Sequence, residues 1–350
     1  MGASRLISLT GAAPRRCPLR MPAAWQPPVP AWCSDLAAVT RPVVATLGVQ
    51  SRASEAPPEA ERLRMLAASA AARVEQAWYV DARGYRNDVL IAYFRDEPAW
   101  YRYAGEGEFA EWWSAPMRLS GAHGYWREYF VAPDDHRETL FSADDRPAGL
   151  ASLGTRLIGP IAEHGYWGGA RDRIPRSALE TLANERSLER RASATLGRRV
   201  TVAAPTHACV IRSAQDATDC TGEELELYER RVRPVLQRGM DYLRDHATET
   251  GCFSCRLMQE PDPEGSPSRR TFALAHFVSL GALERWAATH ETHLAIFDEF
   301  LAMAGELGPA MRLRLWHEVY VLPERAGRFE YLNCHPDTGL LPFEPPIEAD

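Results

Sequence analysis

The chain has 350 residues, of which 45% are hydrophobic and 25% charged, with a net charge of −7. That is the composition of a soluble globular protein, and the length allows one large or two ordinary domains. The acidic balance, without any Lys/Arg-rich run, argues against a nucleic-acid binder. No apolar stretch approaches about 18 residues, so no membrane span is expected.

Residues 1–40 carry Pro14, Pro18, Pro22, Pro27, Pro28 and Pro30. Proline removes donors and stops helices, so an extended arm is expected. The opening "MGASRLISLTGAAPRR" meets Arg and Pro after a short apolar run; it reads poorly as a signal peptide, and a cytoplasmic location is expected. "RPVVATLGVQ" (41–50) is β-branched and predicts a strand. "PPEAERLRMLAASAAARVEQA" (57–77) is Ala-rich and predicts a helix. "DVLIAYFRD" (88–96) predicts a strand, 97–116 a helix weakened by Gly105 and Gly107, and "GYWREYFVAP" (124–133) a strand. The segment 153–177, rich in Gly, aromatics and Arg, reads as a loop reaching over something.

The second half repeats this order. "RVTVAAPTHACVIRS" (199–213) contains a strand. Thr221 and Glu224 form a capping-box pattern opening a helix. "CFSCRLMQE" and "RTFALAHFVS" predict strands around a turn, followed by a helix over 283–300 and a strand within 311–323. The seven cysteines are scattered and fit a reducing compartment, and Cys252 and Cys255 read as core thiols rather than half a zinc site. The closing strands align: Trp126 with Trp316, Glu128 with Glu318, Val131 with Val321, Pro133 with Pro323. Such matches predict an internal duplication. The expected fold is α+β, two ferredoxin-like halves of order β-α-β-β-α-β forming a barrel-like core flanked by helices. The expected division is an arm (1–40), a first half (41–135), an inserted region over the pocket (136–198), a second half (199–325) and a tail (326–350). Arg127 stands where His317 stands in the repeat.

Leu283, Trp286, His290, His293, Phe297 and Phe300 step by helical spacing along one face. One reading is a core stripe whose imidazoles find local partners. Another is a face covering a flat apolar ligand such as haem, with one imidazole on the iron. A mononuclear metal on both histidines is a third, but it lacks carboxylate company. His317, between Trp316 and Glu318 on a strand, points into an apolar interior, where it is either a satisfied core histidine or a group suited to acid–base work.

The segments "CPLRMPAAWQPPVPAW", "LGVQ", "EHGYWGGARDRIP", "IRSAQD", "LQRGMDYLRDH", "LERWAATHETHLAIF", "LRLWHEV" and "EYLNCHPDTG" together resemble the aldoxime dehydratases. The resemblance covers nearly the whole chain. It implies a haem b enzyme, ferrous when active, that dehydrates aldoximes to nitriles with the oxime nitrogen on the iron. It implies the proximal ligand at His293, with His290 not ligating, the distal acid/base at His317 and the distal arginine at Arg173. It also implies a hydroxyl-binding serine at Ser213 and a distal glutamate at Glu138. A homodimer, with haem near the second half, is implied as well. A haem peroxidase or chlorite-dismutase relative is the rival enzyme reading, and a haem carrier or sensor the non-catalytic one.

Overall fold

The computed structural model describes residues 6–10, 15–192 and 194–347. The arm ends in a short strand, β1 (Cys33–Ser34). A first run follows: β2 (Val43–Ser51), α1 (Pro58–Ala68), β3 (Arg73–Val80), β4 (Arg86–Phe94), α2 (Glu97–Gly105), α3 (Gly107–Ser114) and β5 (Gly124–Val131). Next come β6 (Arg137–Phe141), β7 (Leu157–Ile158), α4 (Gly169–Arg173) and β8 (Arg199–Ala203). A second run comprises β9 (Cys209–Asp216), α5 (Gly222–Leu227), α6 (Arg233–Asp245), α7 (Ala247–Thr250), β10 (Cys252–Pro261) and β11 (Pro267–Phe277). It continues with α8 (Leu280–Thr289), α9 (Glu291–Leu307) and β12 (Arg314–Val321), and β13 (Gly327–Leu332) follows.

Eleven strands form one antiparallel sheet, in the order β6-β12-β9-β11-β10-β3-β4-β2-β5-β13-β8. Each run therefore places its fourth, first, third and second strands side by side in that sequence. The runs join where β10 meets β3 at the single pair Gln259 and Trp78. β2, "VVATLGVQS", is buried throughout, because both faces are covered. On one face of the first run, Leu63, Leu66, Trp100, Tyr103, Phe109 and Trp113 from α1–α3 close over Val43, Ala45, Leu47 and Leu90.

Between the runs lie charges as well as apolar groups. The aligned glutamates both cross the seam. Glu128 accepts two 2.6 Å bonds from Arg256, and Glu318 accepts one of 2.5 Å from Tyr93. Bidentate guanidinium–carboxylate contact fixes orientation as well as charge. Removing either member of the Arg256–Glu128 pair would leave a buried charge unpaired, the costly case.

Four local expectations changed. The Ala-rich helix stops at Ala68, because residues 73–80 pair with β4; helix propensity is a weak prior that sheet pairing overrides. The helix over 97–116 is two, broken at an extended Glu106 before Gly107 with φ +68°. The stripe over 283–300 also breaks, at His290 (φ −83°, ψ 130°), which caps α9 by accepting from the Thr292 amide. Thr221 is an N-cap by backbone shape, but Glu224 instead accepts from the Arg312 and Leu313 amides at 2.6 and 2.8 Å, so no capping box forms. The Cys252 and Cys255 thiols are buried, donating to the Ser254 carbonyl and the Met240 sulfur.

Candidate active site

The register puts a row of side chains on one face of the second run. His317 on β12 lies opposite Leu140 on β6 and Ser213 on β9; Ser213 lies opposite Ala273 on β11, and Ala273 opposite Leu257 on β10. Directly opposite residues share a face. The matching row of the first run is Arg127, Leu47, Leu90 and Gln76. Leu47 and Leu90 are buried there, whereas Ser213 and Ala273 take their places here. Two smaller side chains stand where the first run has leucines.

His317 is held by charge. Its Nε2 is 2.9 Å from Glu138 Oε1 and 3.1 Å from an Arg173 Nη. Arg173 Nε donates to Glu138 Oε2 at 2.7 Å, and its other Nη donates to the Glu163 carbonyl at 2.6 Å. Glu138 is on β6, two residues from Leu140 and so on the same face. Burial pushes its carboxyl up, but Arg173 and His317 outweigh that and hold it below the usual carboxylate range. The two contacts of Nε2 are alternatives: a bare Nε2 accepts from Arg173, and a protonated ring pairs in charge with Glu138.

His293, in the first turn of α9, lies on the same side of the sheet. Phe277 shares the face of Ala273, its ring is 6.4 Å from Trp286 on α8, and Trp286 is 4.8 Å from His293. Trp167 stands 5.6 Å from His293 and 5.3 Å from Phe297. Trp167 and Arg173 belong to one segment, so that segment touches both histidines. Trp167 also lines a groove of about 620 Å³ with Arg171, Ala288 and Thr289. Burial pushes His293 down to about 4, although the Ala287 carbonyl pulls the other way, so the ring is neutral near pH 7. Neutral imidazole is the ligating form.

Of the residues of α9 only Met303 is buried; Leu294, Ile296, Phe297 and Phe300 are half-buried. The helix packs mainly on α6 and α8. Its apolar side chains, a buried and unpartnered His293 Nδ1, and the row with its smaller side chains fit a flat apolar group with one imidazole ligand. His290 is engaged elsewhere: it caps α9, meets the Tyr242 ring in a tilted contact at 4.3 Å and lies 3.8 Å from Glu249.

The structure thus brings His317, Arg173, Glu138 and Ser213 together on one side and sets His293 apart on a helix. Sequence reading missed Leu140, Ala273 and Leu257, whose only signal is strand register. It also missed Trp167 as a flank of His293, whereas Trp286 was already on the same stripe.

Comparison with known proteins defines the class. The model of a haem-containing dehydratase family matches residues 45–340. An aliphatic aldoxime dehydratase of Rhodococcus erythropolis is 34% identical over 338 residues, covering 94% of each chain. A phenylacetaldoxime dehydratase of Bacillus sp. (strain OxB-1) is 35% identical over 334 residues, covering 92% of this chain and 94% of its own. A crystal structure of an aldoxime dehydratase in complex with butyraldoxime superposes with a TM-score of 0.89 at 33% identity, covering 97% of both chains. The chain belongs to the haem-containing dehydratase family.

Proposed function

We propose that this enzyme dehydrates aldoximes, R–CH=N–OH, to nitriles and water. In this reading haem b, ferrous when active, is held by His293, and Ser213, Arg173, Glu138 and His317 act on the substrate. The names of the relatives and the butyraldoxime in the solved neighbour support the substrate class. The observation that carries the residue roles is the double-sided contact of His317 Nε2.

Dehydration breaks the N–O bond and the C–H bond, and hydroxide leaves only when protonated. When bound, the haem supplies an electron-rich iron that weakens the N–O bond. The protein supplies protons and orientation. Ser213, opposite His317 on the ladder, accepts or donates at the oxime hydroxyl, and Arg173 holds the same oxygen. Protonated His317, steadied by Glu138, gives its Nε2 proton to that oxygen, and water departs. The bare Nε2, now able to accept from Arg173, takes the carbon-bound proton. One atom holds both states because an acceptor and a donor flank it. Acid–base catalysis of this kind contributes about a hundred- to ten-thousand-fold.

The same reading divides the chain into an arm (1–40), ferredoxin-like halves (41–135 and 199–325), a covering region (136–198) and a tail (326–350). The identical strand order of the two runs supports a duplication. A homodimer in the cytoplasm is part of the proposal. No helix among the described residues is long and apolar enough to cross a membrane, and free cysteines suit a reducing compartment.

The test is an absorption spectrum of the purified protein, oxidised and dithionite-reduced, with and without butyraldoxime. A ferrous Soret band that shifts with the oxime, followed by butyronitrile, is the expected result. Haem whose ferrous spectrum ignores aldoximes would return the site to the peroxidase or sensor readings.

A further inference from the structure

Two carboxylates behind the site have no ion-pair partner among the described residues, though both are buried: Glu163 at 0% and Asp172 at 2% exposure. Buried anions need partners. Theirs come from the N-terminal arm. The Ser8 and Thr10 hydroxyls donate to Glu163 at 2.6 and 3.1 Å, and the Leu9 amide donates at 3.1 Å. The Arg20 and Met21 amides donate to Asp172 at 2.9 Å, beside the Tyr166 hydroxyl at 2.8 Å. The Trp25 indole donates to the His164 carbonyl at 2.8 Å.

The glycines of "HGYWGG" mark where the arm crosses. A Cβ on Gly165 would lie 2.7 Å from Pro28 Cδ, and one on Gly168 would lie 2.7 Å from Arg20 Cβ. Both glycines have positive φ, 76° and 97°, which disfavours any replacement. At these two glycines the arm lies against the segment. That segment carries Arg173, whose guanidinium is anchored on the Glu163 carbonyl at 2.6 Å.

We propose that arm residues 8–10 and 20–21 act as a strap that positions Arg173, with Glu163 and Asp172 as positioning residues. The inference rests on the reading of Arg173 as an active-site group. Each carboxylate gathers arm donors on one side while its own backbone carries or neighbours the arginine. Releasing the strap leaves a buried anion unmet, and the segment must shift to hydrate it. A misplacement of about 1 Å at such a distance from the chemistry is enough to slow a reaction by up to about a hundredfold.

The test uses the haem-loaded full chain as Asp172→Asn and, separately, as Ser8→Ala/Thr10→Ala, which touches only the arm. Haem per chain, amide hydrogen exchange over 161–173 and kinetics on butyraldoxime are read together. The expected result is faster exchange over 161–173 at unchanged haem content. The expected kcat falls about tenfold while KM stays within about twofold. On an Arg173→Lys background the same arm change should cost nothing further. Unchanged exchange in the arm variant overturns the strap. So does a kcat loss that persists undiminished on the Arg173→Lys background. If the unaltered enzyme makes no nitrile, the functional reading fails, and exchange alone, which needs no substrate, still judges the strap.

Discussion

The two runs share strand order, yet one is sealed and the other open. In the first, Trp100, Tyr103, Phe109 and Trp113 press on Leu47 and Leu90, and Arg127 is spent on Glu330 at 2.7 Å and on the face of Trp113. In the second, the equivalent row is His317, Ser213 and Ala273, and α9 buries only Met303. In the proposed reading the first run is packed with leucines and aromatics where the second holds the site. The contrast lies in smaller residues on the sheet and in a helix that packs mainly on α6 and α8.

The largest test of that contrast is His293→Ala, expected to lose haem and with it all turnover, read as Soret absorbance per chain. Normal haem content would move the ligand elsewhere. Next, His317→Ala should keep its haem and lose about a hundred- to ten-thousand-fold in rate; full activity there would end its role. Enlarging the row with Ala273→Leu should weaken haem binding by about 1–3 kcal/mol, since overpacking costs that much, while unchanged affinity would place the group away from the row. The converse, Leu47→Ala in the sealed run, should cost about 2–5 kcal/mol of stability and leave haem content intact, read by urea titration and Soret absorbance.

A further expected effect is one of pH. His164, His276 and His293 are each pushed down to about 4, chiefly by burial. Unfolded imidazoles take protons below about 6.5. Between about 6.5 and 4 the unfolded chain thus binds more protons, and stability falls as pH falls. Urea midpoints of the haem-free protein should decline across that window; a flat profile would mean these rings are solvated.

Much of this was legible from residue order. The β-α-β-β-α-β pattern was visible because buried strands such as "VVATLGVQ" and "LWHEVYV" are β-branched and aromatic. The Trp126–Trp316 and Glu128–Glu318 matches fall on the closing strands of two runs that share one strand order. The arm was visible in its prolines, but not that Glu163 and Asp172 receive it, since a carboxylate 150 residues away from its donors leaves no local signal. The helix break at His290 was hidden because apolar periodicity continues across it.

What residue order alone determined is the β-α-β-β-α-β order of the elements and the stock of imidazoles, arginines and carboxylates. Those are local properties, set by side-chain spacing and backbone preference. Only the tertiary structure decided which of them meet: His317 Nε2 between Glu138 and Arg173, and Ser213 rather than a leucine at the centre of the row. Register pairs residues whose separation in the chain carries no pattern, and burial, which sets charge states and partners, exists only once the layers have closed.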